Sequence, residues 1–217
     1  MQARQHTVVA IDGPAASGKS SVARELAKRL GFIYVNSGAM YRAVTWHLLQ
    51  CGTDPCDQAA IERQLTQLNI RSEVRDRQSS ILINDADPGG RLWEPEVNEN
   101  VSQVSSVPAV REVLVREMRQ YARDHDLVME GRDIGSVVFP NTRFKFYIDA
   151  SPEIRSQRRA AQGQRDQIAS RDRADSSRST SPLLIARDAD VIDSSNLTIQ
   201  DVVDKIMTTL RGKGLQI

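Results

Sequence analysis

Short apolar runs alternate along this chain with stretches whose apolar residues recur three and four positions apart. Thr7 to Ile11, Phe32 to Val35, Leu127 to Met129, Phe144 to Ile148 and Ala189 to Ile192 are the runs. Runs this short and continuous predict strands of a parallel sheet buried on both faces. Between the first two, Val22, Ala23, Leu26, Ala27 and Leu30 share one helical face, and Gly31 stands where that helix stops. Tyr41, Val44, Leu48 and Leu49 predict a second helix capped by Ser37.

A further helical pattern runs from about 57 to 68, and the texture then changes. Ile70 to Val74 and Ser80 to Ile83 read as β, separated by Arg75-Asp76-Arg77-Gln78 and followed by a turn-rich stretch from Asn84 to Gly90. This predicts a small antiparallel insertion in the α/β alternation. Val97, Val101 and Val104 mark a helix beginning near Pro95, with Ser102 near its buried face; Pro108 opens another, with Arg111 in its first turn. A cation there opposes the helix dipole, which favours a ligand or carboxylate partner for Arg111. Ser151-Pro152-Glu153 starts a helix carrying Arg155, Arg158 and Arg159, and a polar, charge-dense run follows to Arg178. Such a run suits a lid that orders over phosphates, or an exposed helix laced with ion pairs. Thr198 to Asp201 has the spacing of a capping box for the last helix.

The chemistry concentrates at Gly13-Pro14-Ala15-Ala16-Ser17-Gly18-Lys19-Ser20, with Ser21 next in line. Gly, four residues, then Gly-Lys-Ser is the phosphate-loop pattern, and it falls between a predicted strand and a predicted helix as its mechanism requires. Backbone N–H groups and the positive end of the helix converge on one point, which suits a polyphosphate. Lys19 would lie over the outer phosphates and the Ser20 hydroxyl would hold Mg²⁺. Ser37 and Arg42 add a hydroxyl and a guanidinium at the end of the next strand, where open α/β sheets bind ligands. Arg132 and Asp133, bracketed by Gly131 and Gly135 at another strand end, are hard to explain by packing.

Composition narrows the function classes. The 217 residues allow one sizeable α/β core, and no apolar run reaches membrane length, so the chain reads as soluble, with no membrane partner. The first six residues are polar and lead into the first strand, so no signal peptide is expected. Cys51 and Cys56 read as free thiols of a reducing cytoplasm. A net charge of +1 argues against a general nucleic-acid binder. The basic residues are 24 arginines and five lysines, a bias compatible with anion handling.

The chain resembles the bacterial cytidylate kinases, in the nucleoside monophosphate kinase group of phosphate-loop proteins. The residues that carry the likeness are Ile11-Asp12-Gly13-Pro14, Ser37-Gly38-Ala39-Met40-Tyr41-Arg42 and Val101-Ser102-Gln103-Val104 before Val110-Arg111. With them go Gly131 to Gly135, Val137 to Pro140, and the Arg171, Asp175, Arg178 spacing before Ser181-Pro182-Leu183. The resemblance implies a three-layer α/β sandwich of the phosphate-loop NTPase type with a five-stranded parallel sheet. It further implies a single domain over 1–217, a monophosphate-binding insertion at about 57–107 and an arginine-rich lid at about 154–178. The implied reaction moves the γ-phosphoryl of ATP to CMP or dCMP with Mg²⁺, in a cytoplasmic monomer.

By the same resemblance, Gly13, Pro14, Ala15, Ala16, Ser17, Gly18, Lys19, Ser20 and Ser21 hold ATP. Ser37, Arg111 and Asp133 read cytosine, while Arg42 and Arg132 clamp the acceptor phosphate. Ser102, Arg171 and Asp175 contact sugar and phosphate, and Arg155, Arg158 and Arg178 approach the transferring group. Cytosine offers a donor at N4 and acceptors at N3 and O2, so telling it from uracil needs a carboxylate beside a donor. Two departures stand out: position 16 is Ala where relatives often have Gly, and the lid from Ala160 to Ser170 is shorter than usual. The nearest rival is a phosphate-loop kinase for another small acceptor such as shikimate. A guanine-nucleotide switch lacks its Asn-Lys-x-Asp motif here, and a nucleic-acid-dependent ATPase lacks a second domain and a basic surface.

Overall fold

A computed structural model describes residues 6–161, 172, 173, 175, 176 and 183–216. In chain order its elements are β1 (Val8–Asp12), α1 (Lys19–Leu30), β2 (Ile33–Asn36), α2 (Ser37–Gln50), α3 (Gln58–Leu65), β3 (Ile70–Arg75) and β4 (Gln78–Ile83). A 3₁₀ turn (Gly89–Trp93) leads to α4 (Pro95–Val104), α5 (Pro108–Asp124) and β5 (Leu127–Gly131). A π turn (Ile134–Val138), β6 (Phe144–Asp149), α6 (Pro152–Ala161), β7 (Asp190–Asp193) and α7 (Ile199–Gly212) complete it. The chain divides into two compact units, residues 1–35 with 122–217, and residues 36–121.

In the first unit the strands run in the order β2-β5-β1-β6-β7. The central strand β1 pairs in parallel with β5 and with β6, and β6 pairs in parallel with β7. Every residue of β1 and β5 is buried, which is why Val8 to Ile11 and Leu127 to Met129 read as unbroken apolar runs rather than alternating ones. Helices α1 and α7 cover one face, where Ile11, Leu26, Phe146, Ile148, Ile206 and Leu210 form the centre of the core. Each such side chain contributes about 1.5–3 kcal/mol by leaving water. Thr198 and Asp201 form the capping box of α7 that their spacing predicts.

The second unit is built around α2, which is buried along Met40, Tyr41, Val44 and Leu48. Ser37 does not cap this helix. Asn36 does, its side chain accepting the Ala39 N–H at 3.1 Å, and Ser37 is the first helical residue. Asn and Ser are nearly equivalent caps, so sequence could not choose between adjacent positions. Strands β3 and β4 form an antiparallel hairpin whose two-residue turn, Asp76 (φ 49°) and Arg77 (φ 59°), lies in the left-handed region that such tight hairpins require. Cys51 and Cys56, both in this unit, are exposed free thiols.

The π turn is not anticipated by periodicity. The Asp133 carbonyl accepts from both Val137 N (2.9 Å) and Val138 N (3.1 Å), and Phe139 N reaches Ile134 O at 2.7 Å. Wide turns of this kind are rare and recur at functional sites.

Candidate active site

The loop from Gly13 to Gly18 leaves the C-terminal end of β1 and delivers Lys19 and Ser20 to the first turn of α1. Glycine is obligatory at 13: a Cβ there would stand 2.1 Å from the Ile148 carbonyl oxygen of β6. Gly18 takes φ 89° at the helix start. Ala16 takes φ 59°, a left-handed conformation that a residue with a Cβ adopts at a cost of roughly 1–2 kcal/mol. Buried Lys19 donates from Nζ to the Pro14 carbonyl at 2.9 Å, folding its ammonium back across the loop. Ser17 is fully buried and its backbone carbonyl accepts from Ser194 Oγ at 2.9 Å, while Ser21 is exposed on α1.

Two carboxylates at neighbouring strand ends frame the loop, and sequence reasoning assigned no site role to either. Glu130, 3 % exposed in β5, accepts the Ser20 hydroxyl at 2.8 Å. Asp12, the last residue of β1, accepts the N–H groups of Ile134 (2.7 Å) and Gly135 (2.8 Å). Burial pushes the Asp12 carboxyl up to about 7; those two N–H bonds oppose the rise, neighbouring Asp133 adds to it, and Lys19 opposes it. A signal for both was present, since each is an acidic residue directly following an apolar run on a predicted buried strand.

Arginines gather on the same unit. Arg132 donates from Nε to Asp175 Oδ2 at 2.8 Å, so these two predicted site residues meet. Burial opposes charge on Arg132, but the Asp175 carboxylate outweighs it and holds the guanidinium protonated. Arg155 donates to Ala150 O (3.1 Å), to Ala15 O in the loop (3.4 Å) and to the Asp172 carboxylate. Arg158 bonds to Ser17 O (3.2 Å), Ser194 Oγ (3.1 Å) and Ser194 O (2.8 Å). Two arginines of α6 are thus tied to the loop backbone. Asp133 is 3 % exposed and immediately precedes the π turn.

In the second unit, Ser37, Arg42 and Arg111 are all buried. Arg111 lies with its guanidinium carbon 5.4 Å from the Tyr41 ring centroid and donates to Ser105 O at 3.3 Å. Arg42 stacks on Trp93 at 4.6 Å and donates to Asn98 Oδ1 at 3.3 Å. Ser102 is partly buried on α4, its carbonyl accepting from Ser105 Oγ at 3.0 Å. Arg171 and Arg178, and most of the lid from Ala160 to Ser170, lie outside the described residues. Among the described residues no cluster of three or more His, Cys, Asp or Glu could hold a metal, and no helix is long and apolar enough to cross a membrane.

A parallel sheet whose central strand ends in a phosphate loop, followed by a helix bearing Lys and Ser, with two arginines bonded to the loop backbone, defines a phosphate-loop protein of the phosphoryl-handling class. The sequence model of the cytidylate kinase family matches residues 9–212, so the chain belongs to that family. A cytidylate kinase of Desulforamulus reducens is 40% identical over 215 residues, covering 94% of this chain and 96% of the relative. One from Pelotomaculum thermopropionicum is 41% identical over 212 residues, covering 92% and 93%. Among solved structures, TT1252 from Thermus thermophilus shares the fold at a TM-score of 0.51, with 16% identity over 98% of this chain and 100% of its own.

Proposed function

We infer that this protein transfers the γ-phosphoryl group of ATP to CMP or dCMP, giving ADP and CDP or dCDP. The observation that carries the reading is the match to cytidylate kinases over nearly the whole length of the chain, at about 40% identity. The phosphate loop supplies the ATP site: residues Gly13 to Ser21 hold the triphosphate, with Lys19 swinging from Pro14 onto the outer phosphates. Ser20 and Glu130 are hard oxygen donors already within 2.8 Å of one another, a pair that fits Mg²⁺. When bound there, the ion would neutralise charge on the β- and γ-phosphates.

An acceptor phosphate is itself a nucleophile, so the reaction needs no strong general base. The chain's residues contribute alignment and positive charge. Arg42 and Arg132 are assigned to the acceptor phosphate, and Arg155, Arg158 and Arg178 to the equatorial oxygens in flight. Ser37, Arg111 and Asp133 are assigned to cytosine, with Ser102, Arg171 and Asp175 on sugar and phosphate. The Arg132–Asp175 ion pair supports this by presenting the guanidinium in a fixed orientation before substrate arrives. A single domain over 1–217, with an acceptor-binding insertion at about 57–107 and a lid at about 154–178, belongs to the same proposal. So do a cytoplasmic monomer and a place in pyrimidine nucleotide metabolism.

The test is an ADP-release assay with ATP and Mg²⁺ across the common nucleoside monophosphates and shikimate. CMP and dCMP should turn over far faster than UMP, AMP or shikimate. Preference for any of the others would overturn the acceptor assignment.

A further inference from the structure

Arg42 leaves the second turn of α2 and is 9 % exposed, held by groups from separate elements. Its guanidinium carbon lies 4.6 Å from the ring centroid of Trp93, at the end of the 3₁₀ turn. Its NH2 donates to Asn98 Oδ1 on α4 at 3.3 Å, and Asn98 Nδ2 donates in turn to the Trp93 carbonyl at 2.8 Å. The NH1 group reaches back one turn to Gly38 O at 3.2 Å. Arg42, Trp93 and Asn98 therefore close a ring of contacts within the second unit alone.

We propose that Trp93, braced by Asn98, is a positioning residue that holds Arg42 in its phosphate-binding orientation. Trp93 is 48 % exposed, so burial of the indole is not what fixes it in place. A guanidinium stacks readily on an aromatic ring because its flat face is weakly hydrated, and stacking leaves its N–H edges for hydrogen bonds in the plane. An unsupported arginine would surrender much rotamer freedom on meeting an anion. One already pinned on a ring and an amide surrenders less, and the acceptor binds more tightly for it. The inference rests on the reading that Arg42 contacts the acceptor phosphate.

Steady-state KM and kcat for CMP at saturating ATP, measured on the full chain, test it with W93A, W93F, R42A and W93A/R42A. W93A should raise the KM for CMP roughly three- to tenfold while changing kcat less than about twofold. W93F, which keeps an aromatic face, should recover most of the loss, and W93A should add nothing once Arg42 is gone. An unchanged or lowered KM in W93A would overturn the proposal, as would a W93F as impaired as W93A or a W93A effect that persists without Arg42. If R42A raises KM and W93A does not, the positioning role alone fails. If R42A leaves KM unchanged, the assignment of Arg42 to the acceptor phosphate fails and the positioning role falls with it.

Discussion

Asp12 Oδ2 accepts the Gly135 N–H at 2.8 Å, joining the end of β1 to the segment that carries Arg132 and Asp133. A Cβ on Gly135 would lie 3.4 Å from that oxygen, an ordinary contact, and 3.2 Å from the Lys145 side chain, which would have to give by a few tenths of an ångström. The strand bearing the phosphate loop is thereby tied to two residues assigned to the acceptor.

Burial of the Asp12 carboxyl makes stability depend on pH, and the two N–H bonds it accepts temper the effect. The Asp12 carboxyl is pushed from 3.8 up to about 7 by burial, so between those values the folded chain holds a proton that the unfolded chain releases. Its contribution to stability is full below about 4 and is lost as pH rises through 7. Comparing denaturant unfolding of the wild type with D12N, which does not titrate, the wild type should lose on the order of 2 kcal/mol relative to the variant from pH 5 to pH 7. A difference between the two that stays constant with pH would contradict this.

Glu130 and Ser20 are expected to set the metal requirement. E130Q should raise the Mg²⁺ concentration for half-maximal rate about tenfold or more, with the KM for CMP little changed. A magnesium titration of initial rates reads this directly, and an unaltered midpoint would remove Glu130 from the metal site.

The buried carboxylate of Asp133 is assigned to the N4 amino group of cytosine. D133A should cut the ratio of kcat/KM for CMP over UMP by about 1–3 kcal/mol, roughly fivefold to 150-fold. An unchanged ratio would place the cytosine reader elsewhere.

Lys19 donates to the Pro14 carbonyl and is assigned to the triphosphate. K19A should lower kcat at least a hundredfold, to the order expected for loss of a transition-state charge contact, with a much smaller change in the KM for CMP. Equal losses in both would argue against that division of labour.

Ala16 carries backbone strain in its left-handed conformation. A16G should stabilise the fold by about 0.5–1 kcal/mol, the relief exceeding the extra freedom glycine gives the unfolded chain. Thermal unfolding would show a Tm raised by a few degrees; a lowered Tm would mean that the strain is not there.

Much of this architecture was legible because its signals are local. The strand, loop and helix from Val8 to Leu30 each carry their own pattern, and the hairpin of β3 and β4 is marked by the polar break at Asp76 and Arg77. Helix starts at Pro95, Pro108 and Pro152 follow from proline's fixed φ. The cap of α2 fell one residue early because Asn36 and Ser37 compete on nearly equal terms. Other features depend on pairings distant in sequence: Glu130 meets Ser20 across 110 positions and Asp12 meets Gly135 across 123. An acidic residue at a strand end says that something charged is near, but not what. Trp93 was invisible for another reason, since a lone aromatic in a turn-rich stretch has no periodicity to announce its neighbour.

Both cysteines, exposed at positions 51 and 56, belong to the unit formed by residues 36–121, which also holds Arg42 and Arg111. A thiol-selective dye therefore marks that unit and leaves the phosphate-loop unit untouched. Replacing either thiol with serine leaves a single attachment point on that unit.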